Sequence, residues 1–217
     1  MPSLDAMISV ALAGLALSAT PGPSMLYVLS RSVGHSRAAG LASALGLCLG
    51  GVLLAIATAM GLATIFENSG WLVVALRYVG SAYLVWLGVD MIRNAQAAAQ
   101  ATLSVENVQH GPLTSVVWQG VLVELLNPKT VLFFALFLPP FINAGVGQSA
   151  ESSVQMQLLV LGVLVPLTAI PSDLVVACMG GTMARVINNK RVVRERLAWA
   201  GGTILIGIAA NLHLQIL

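Results

Sequence analysis

The sequence predicts an all-α integral membrane protein: six transmembrane helices arranged as two inverted three-helix repeats. Three observations predict it. Hydrophobic residues make up 58% of the 217 and charged residues only 8%, with a mean hydropathy of +0.91. A soluble domain carries roughly 25% charged residues, so this chain cannot cover a globular surface with polar groups, and lipid is its natural solvent. Six apolar stretches, 4–29, 39–64, 71–92, 115–142, 154–180 and 197–217, each reach the roughly 20 residues that a bilayer core requires. The longest polar linker, 93–114, has three stretches before it and three after it. An odd number per half makes the halves enter the membrane from opposite sides, the layout of an inverted repeat. The chain divides accordingly into a first repeat, 1–92, a cytoplasmic linker, 93–114, and a second repeat, 115–217.

The elements follow in order. No Lys or Arg precedes Arg31, and Asp5 stands near the start. A secretory signal opens with a basic region, so the first stretch is a retained span. It is interrupted by "TPGP" at 20–23, where Pro21 and Pro23 remove two backbone donors and oppose a continuous helix. The second span carries Gly46, Gly50 and Gly51, a small-residue pattern for close helix packing. In the third, Trp71 and Tyr78 lie near the membrane interface and Arg77 snorkels towards it. Tyr83 and Trp86 lie deeper and pack, and Asp90 sits beside Arg93 at the far end. The fourth span has Trp118 near its start and is broken by "LNPKT" at 126–130. The fifth contains Pro166, Pro171 and Asp173, and the sixth opens with Gly201 and Gly202. Cys48 and Cys178 lie inside apolar stretches as small core residues, with neither a disulfide framework nor metal spacing. His35, His110 and His213 show no ligand spacing, so the sequence calls for no metal and no cofactor.

Charge sets the orientation. Of ten Lys and Arg, eight (Arg31, Arg37, Arg93, Arg185, Lys190, Arg191, Arg194 and Arg196) fall on one side if the spans alternate. By the positive-inside rule that side is cytoplasmic, and both termini are extracytoplasmic. The cluster "RVINNKRVVRER" is read as this topology signal rather than as a nucleic-acid site.

The two breaks occupy corresponding positions, the first span of each half. Proline-interrupted segments so placed point to a transporter binding site, against the plainer reading of two tolerated kinks. Asn127 is a favoured N-cap and Pro128 a favoured first helical residue; Gly22-Pro23 reads the same way. Each broken span then contains a half-helix that starts within the membrane, with unpaired N–H groups and a partly positive end. Opposed span directions bring these two ends together near mid-depth, where they suit a carboxylate. Pro21, Gly22, Pro23, Ser24, Asn127, Pro128 and Lys129 are therefore the predicted substrate-binding residues. Gly22 serves there through close approach of the backbone or through a positive φ.

Ionisable residues inside spans are functional candidates because each is costly in lipid, about 2.5–3.5 kcal/mol on insertion scales. Lys129 has two readings: it receives a substrate carboxylate, or it forms an ion pair with Glu124 or Asp173 that holds spans four and five together. Glu124 and Asp173 are expected at a similar depth and are the candidate proton-coupling residues.

At these residues the chain resembles the LysE/RhtB family of amino-acid exporters. The likeness runs essentially the whole length and rests on "ATPGP" (19–23), "AYLVWLG" (82–88) followed by Arg93, "LLNPKT" (125–130) and "FFALFLPPF" (133–141). It departs from the family pattern at Pro140, where Gln is expected, and at Glu124, a place that is usually neutral. The resemblance implies secondary active export of amino acids or small amino-acid derivatives across the bacterial inner membrane, coupled to protons. The partners implied are an amino-acid-like small molecule, protons and the lipid bilayer, without nucleic acid; a homo-oligomer is compatible with it. The alternative is an exporter of cations or metal ions with a related six-span architecture, which the lack of a His/Cys/Asp ligand cluster in the spans disfavours. An enzyme would need a nucleophile or metal constellation at the active depth, and the sequence offers none.

Overall fold

A computed structural model describes residues 1–19, 22–68, 70–96, 111–142, 149–189 and 191–216. Among these the secondary structure is helical throughout. The helices are α1 (Leu4–Ala19), α2 (Pro23–Gly34), α3 (Arg37–Asn68), α4 (Gly70–Arg93), α5 (Leu113–Leu125), α6 (Pro128–Leu132), α7 (Ser149–Asn189) and α8 (Arg191–Ile216). α6 runs on into a π-helical turn, Phe133–Phe137, and a 3-10 turn, Pro139–Phe141. Within α3 and α7, Arg37–Gly61 and Val154–Gly180 are each long and apolar enough to cross a bilayer.

Both breaks expected from the sequence are present. α1 and α2 meet at a bend of 52°, and α5 and α6 at a bend of 50°. Each bent pair is also long and apolar enough to count as one broken span. The cause at the second break is local. Asn127 leaves the helix (φ −71°, ψ 106°), its side chain accepts a hydrogen bond from the Lys129 N–H, and Pro128 starts the next helix. At the first break Gly22 is the residue before the helix and Pro23 its first residue. The φ of Gly22 is −148°, extended backbone open to any residue. The expectation of a positive φ is thus corrected, and only close approach is left as a reason for glycine there.

Some bounds differ from the sequence reading. The fifth span, expected at 154–180, belongs to one helix from Ser149 to Asn189 that passes through Pro166 and Pro171 without ending. Neighbouring helices in lipid can tolerate such prolines by re-satisfying the freed backbone groups.

α3 packs mainly against α7 and α5, and α4 against α8. α1 packs on α7 and α8, while the π and 3-10 turns pack on α4. Glycine decides how near α3 and α5 come: a Cβ on Gly46 would strike the Val117 carbonyl oxygen and lie 3.0 Å from Gly120 Cα. The predicted small-residue face therefore does pack closely. The apolar core forms two clusters. The larger one includes Val10, Leu84, Phe133, Phe134, Phe137, Leu158 and Leu161. Its rings run in series, Phe133 and Phe137 stacked with centroids 4.2 Å apart and Phe137 and Phe141 tilted at 51° with centroids 4.8 Å apart. The smaller one holds Val28, Leu29, Leu47, Val176 and Ala177. Trp71, Tyr78 and Trp118 are exposed.

Candidate functional site

One cavity is lined from both breaks. From the first come Gly22, Pro23, Ser24 and Met25, and from the second Asn127, Lys129 and Thr130. Glu124 from α5 and Asp173 from α7 complete its polar wall, and Phe134 and Pro166 are among its apolar lining. Including its mouth, the empty space is about 680 Å³. That upper bound excludes a macromolecule.

A chain of hydrogen bonds ties the breaks together. Asn127 Nδ2 donates to Ser24 Oγ at 2.9 Å, and Ser24 Oγ donates to Glu124 Oε2 at 2.6 Å. Asn127 is buried and uses both ends of its amide, since Oδ1 accepts from the Lys129 N–H at 3.1 Å. The first donor of the second half-helix is thus already taken by its own cap. Lys129 Nζ crosses to the other break and donates to the Leu17 carbonyl at 3.1 Å. Leu17 lies in the last turn of α1, where carbonyls lack helical partners; a lysine near a helix C-terminus satisfies such a group and complements the dipole.

This arrangement differs from the ion-pair reading of Lys129. Its hydrogen bond goes to a backbone carbonyl, not to Glu124 or Asp173. Glu124 is near enough to attract it electrostatically. Asp173 faces the same cavity, so the two carboxylates expected at similar depth do share it.

Of the predicted binding residues, Gly22, Pro23, Ser24, Asn127 and Lys129 line the cavity. Pro128 does not; it is exposed and serves as the first residue of α6. Pro21 lies outside the described residues, as do His110 and most of the linker, and the side chains of Arg77, His213 and most of the basic cluster are likewise outside them. Tyr83 is buried, stacks on Trp86 with centroids 5.9 Å apart, and points its hydroxyl at the Lys129 carbonyl at 3.5 Å. Asp90 accepts from Asn94 Nδ2 at 2.6 Å. Among the lining residues that the sequence reading missed are the three that α3 contributes. Cys48 was read as core, yet it borders the cavity with Leu47 and Gly51. No sequence signal marks it, because α3 is apolar on every side. Among the described residues, no group of three His, Cys, Asp or Glu is placed to hold a metal ion.

Broken helices around a largely apolar cavity with a few convergent polar and charged groups are the pattern of a membrane protein that handles small solutes. The sequence comparison makes this specific. Residues 15–215 match the family model described as LysE type translocator, and the chain belongs to that family. It is a translocator, not an enzyme. The chain is 33% identical to an uncharacterized membrane protein of Pseudomonas aeruginosa over 154 residues, covering 69% of this chain and 67% of that one. It is 33% identical over 171 residues to the homoserine/homoserine lactone efflux protein of Salmonella typhimurium, covering 79% and 76% of the two chains. It is 25% identical over 196 residues to the leucine efflux protein of Enterobacter sp., covering 88% and 87%. No solved structure matches the chain.

Proposed function

We propose that this protein is a secondary exporter of amino acids or small amino-acid derivatives, working across the bacterial inner membrane. The observation that carries this reading is the joining of both helix breaks at one cavity through Asn127, Ser24 and Glu124. The cavity offers a cation, Lys129, for a carboxylate and two carboxylates, Glu124 and Asp173, for an ammonium group. The efflux of homoserine and leucine named for its relatives fits that charge pattern.

The working architecture is six spans in two inverted repeats, 1–92 and 115–217, joined by a cytoplasmic linker at 93–114. Bends of 52° and 50° at the two breaks support it. So does the packing. α1 and α2 rest on α7 as α5 rests on α3, α1 meets α8 as the π turn meets α4, and the pairs α3–α7 and α4–α8 close the scheme. The basic side faces the cytoplasm and both termini face out. Export is driven by protons carried on Glu124 and Asp173. A carboxylate that holds a proton no longer offers its charge to a substrate ammonium, which is the exclusivity that exchange requires.

The test is a growth challenge of an efflux-deficient bacterial host with a panel of amino acids and dipeptides, with and without this protein. Resistance to homoserine, leucine or another zwitterion, lost in Glu124→Ala, supports the reading. No protection against any member of the panel, with the protein present in the membrane, contradicts it.

A further inference from the structure

Ser24 and Lys129 hold the same place in their half-helices: each is the second residue, after Pro23 and Pro128. Each also leaves its own helix. Ser24 Oγ reaches Glu124 at 2.6 Å, two residues before the Leu126–Asn127 break. Lys129 Nζ reaches the Leu17 carbonyl at 3.1 Å, in the last turn before the first break. The start of each half-helix thus closes the end of the other broken span. Leu17, Ser24, Glu124 and Lys129 all border the cavity, so both contacts lie within reach of a bound solute.

Resting on the exporter reading above, we propose that Ser24 and Lys129 are a reciprocal pair of positioning residues that strap the two breaks together, and that a zwitterionic solute releases both straps at once. Its carboxylate takes Lys129 from the Leu17 carbonyl, and its ammonium takes Glu124 from the Ser24 hydroxyl. The exchange is favourable in kind at each end. A bond between two ions is shorter and stronger than one between an ion and a neutral carbonyl or hydroxyl. A solute with only one of the two charges exchanges one strap and leaves the other closed. The pair therefore reads both ends of an amino acid, and release is confined to solutes that carry both charges. Asp173, which borders the same cavity, is the carboxylate that remains once Glu124 is engaged.

The chain has two cysteines. Cys48 borders the cavity, and Cys178 is exposed away from it. Cys178→Ser leaves Cys48 as the single thiol, and its alkylation rate by a maleimide in the full-length solubilised protein reports how open the cavity is. Without solute, Ser24→Ala and Lys129→Met should each react about tenfold faster than the parent, the shift expected from losing one charge-assisted hydrogen bond. Ser24→Thr and Lys129→Arg keep a donor at each position and should stay near the parent rate. L-homoserine or L-leucine should accelerate the parent beyond either single-strap variant, whereas L-leucine methyl ester and N-acetyl-L-leucine, each missing one charge, should accelerate it no further than Ser24→Ala or Lys129→Met does. Parent rates in both strap variants overturn the strap assignment, as does equal acceleration in the donor-keeping variants. Acceleration of the parent by the ester or the N-acetyl compound to the rate reached with the amino acids, or no acceleration by either amino acid, overturns the exchange. The strap arms need no solute, so they report independently of whether the cell-based challenge finds an exported amino acid.

Discussion

Gly46 and Gly61 lie on the same helix, α3, and the same substitution should have opposite effects on them. A methyl group at Gly46 would meet the Val117 carbonyl oxygen and sit 3.0 Å from Gly120 Cα. Both neighbours are backbone atoms of α5, so no side chain can rotate away and the helix itself must move. Overpacking of this kind costs roughly 1–3 kcal/mol, and contact with backbone places it at the upper end. Replacing helical glycine by alanine returns about 1 kcal/mol. Gly46→Ala should therefore be destabilised by about 2 kcal/mol. Among the described residues nothing lies within 4 Å of a Cβ on Gly61, so Gly61→Ala should gain up to about 1 kcal/mol. Thermal unfolding of the solubilised variants should put Gly46→Ala roughly 4–8 °C below the parent and Gly61→Ala level with it or a few degrees above. Moving α5 also displaces Glu124 from Ser24, so efflux should fall in Gly46→Ala alone. Equal unfolding temperatures for the two variants would refute the close α3–α5 contact.

Three further outcomes follow from the same account. Pro21→Ala combined with Pro23→Ala should let the first span heal into a continuous helix, since each interior proline costs about 3 kcal/mol; thermal stability should hold or rise while efflux is lost, and normal efflux would reduce the break to a tolerated kink. Reporter fusions at residues 34, 105 and 190 should report cytoplasm and those at 68 and 147 the outside, and swapped results would remove both the orientation and the inverted repeat. Collapsing the proton gradient across substrate-loaded vesicles should stop uphill movement, and accumulation sustained by ATP alone would contradict proton coupling.

What could be read from the sequence was what backbone chemistry dictates locally. Asn127-Pro128 announces a capped helix start, and the cap forms with the side chain on the Lys129 N–H. Proline and glycine placed the first break between Ala19 and Pro23. The spacing of Gly46, Gly50 and Gly51 announced a close helix contact, and Gly46 meets Gly120. What lay beyond reach was which atoms face each other across helices. In a soluble helix an apolar stripe marks the buried face. In α3 and α7 nearly every face is apolar, so periodicity gave no sign that Cys48 borders the cavity. Lys129 shows the same limit. An ammonium in lipid needs a partner, and charge alone pointed to a carboxylate. The partner is a carbonyl that the other break had freed, a contact across 112 residues of sequence. The π turn at Phe133–Phe137 was equally hidden. It depends on the third dimension: the Leu136 carbonyl lies against α4 at Gly80, where a side chain would not fit.

The central claim is that the two breaks build one substrate site, and Asn127 is the residue that joins them, capping its own half-helix and donating to Ser24 in the other. The most direct measurement is efflux of radiolabelled L-homoserine and L-leucine from proteoliposomes containing the parent or Asn127→Ala, with the reconstituted amount of each matched. The parent should move at least one of the two above protein-free liposomes, and Asn127→Ala should fall to the protein-free level. Efflux by Asn127→Ala at the parent rate would contradict the claim.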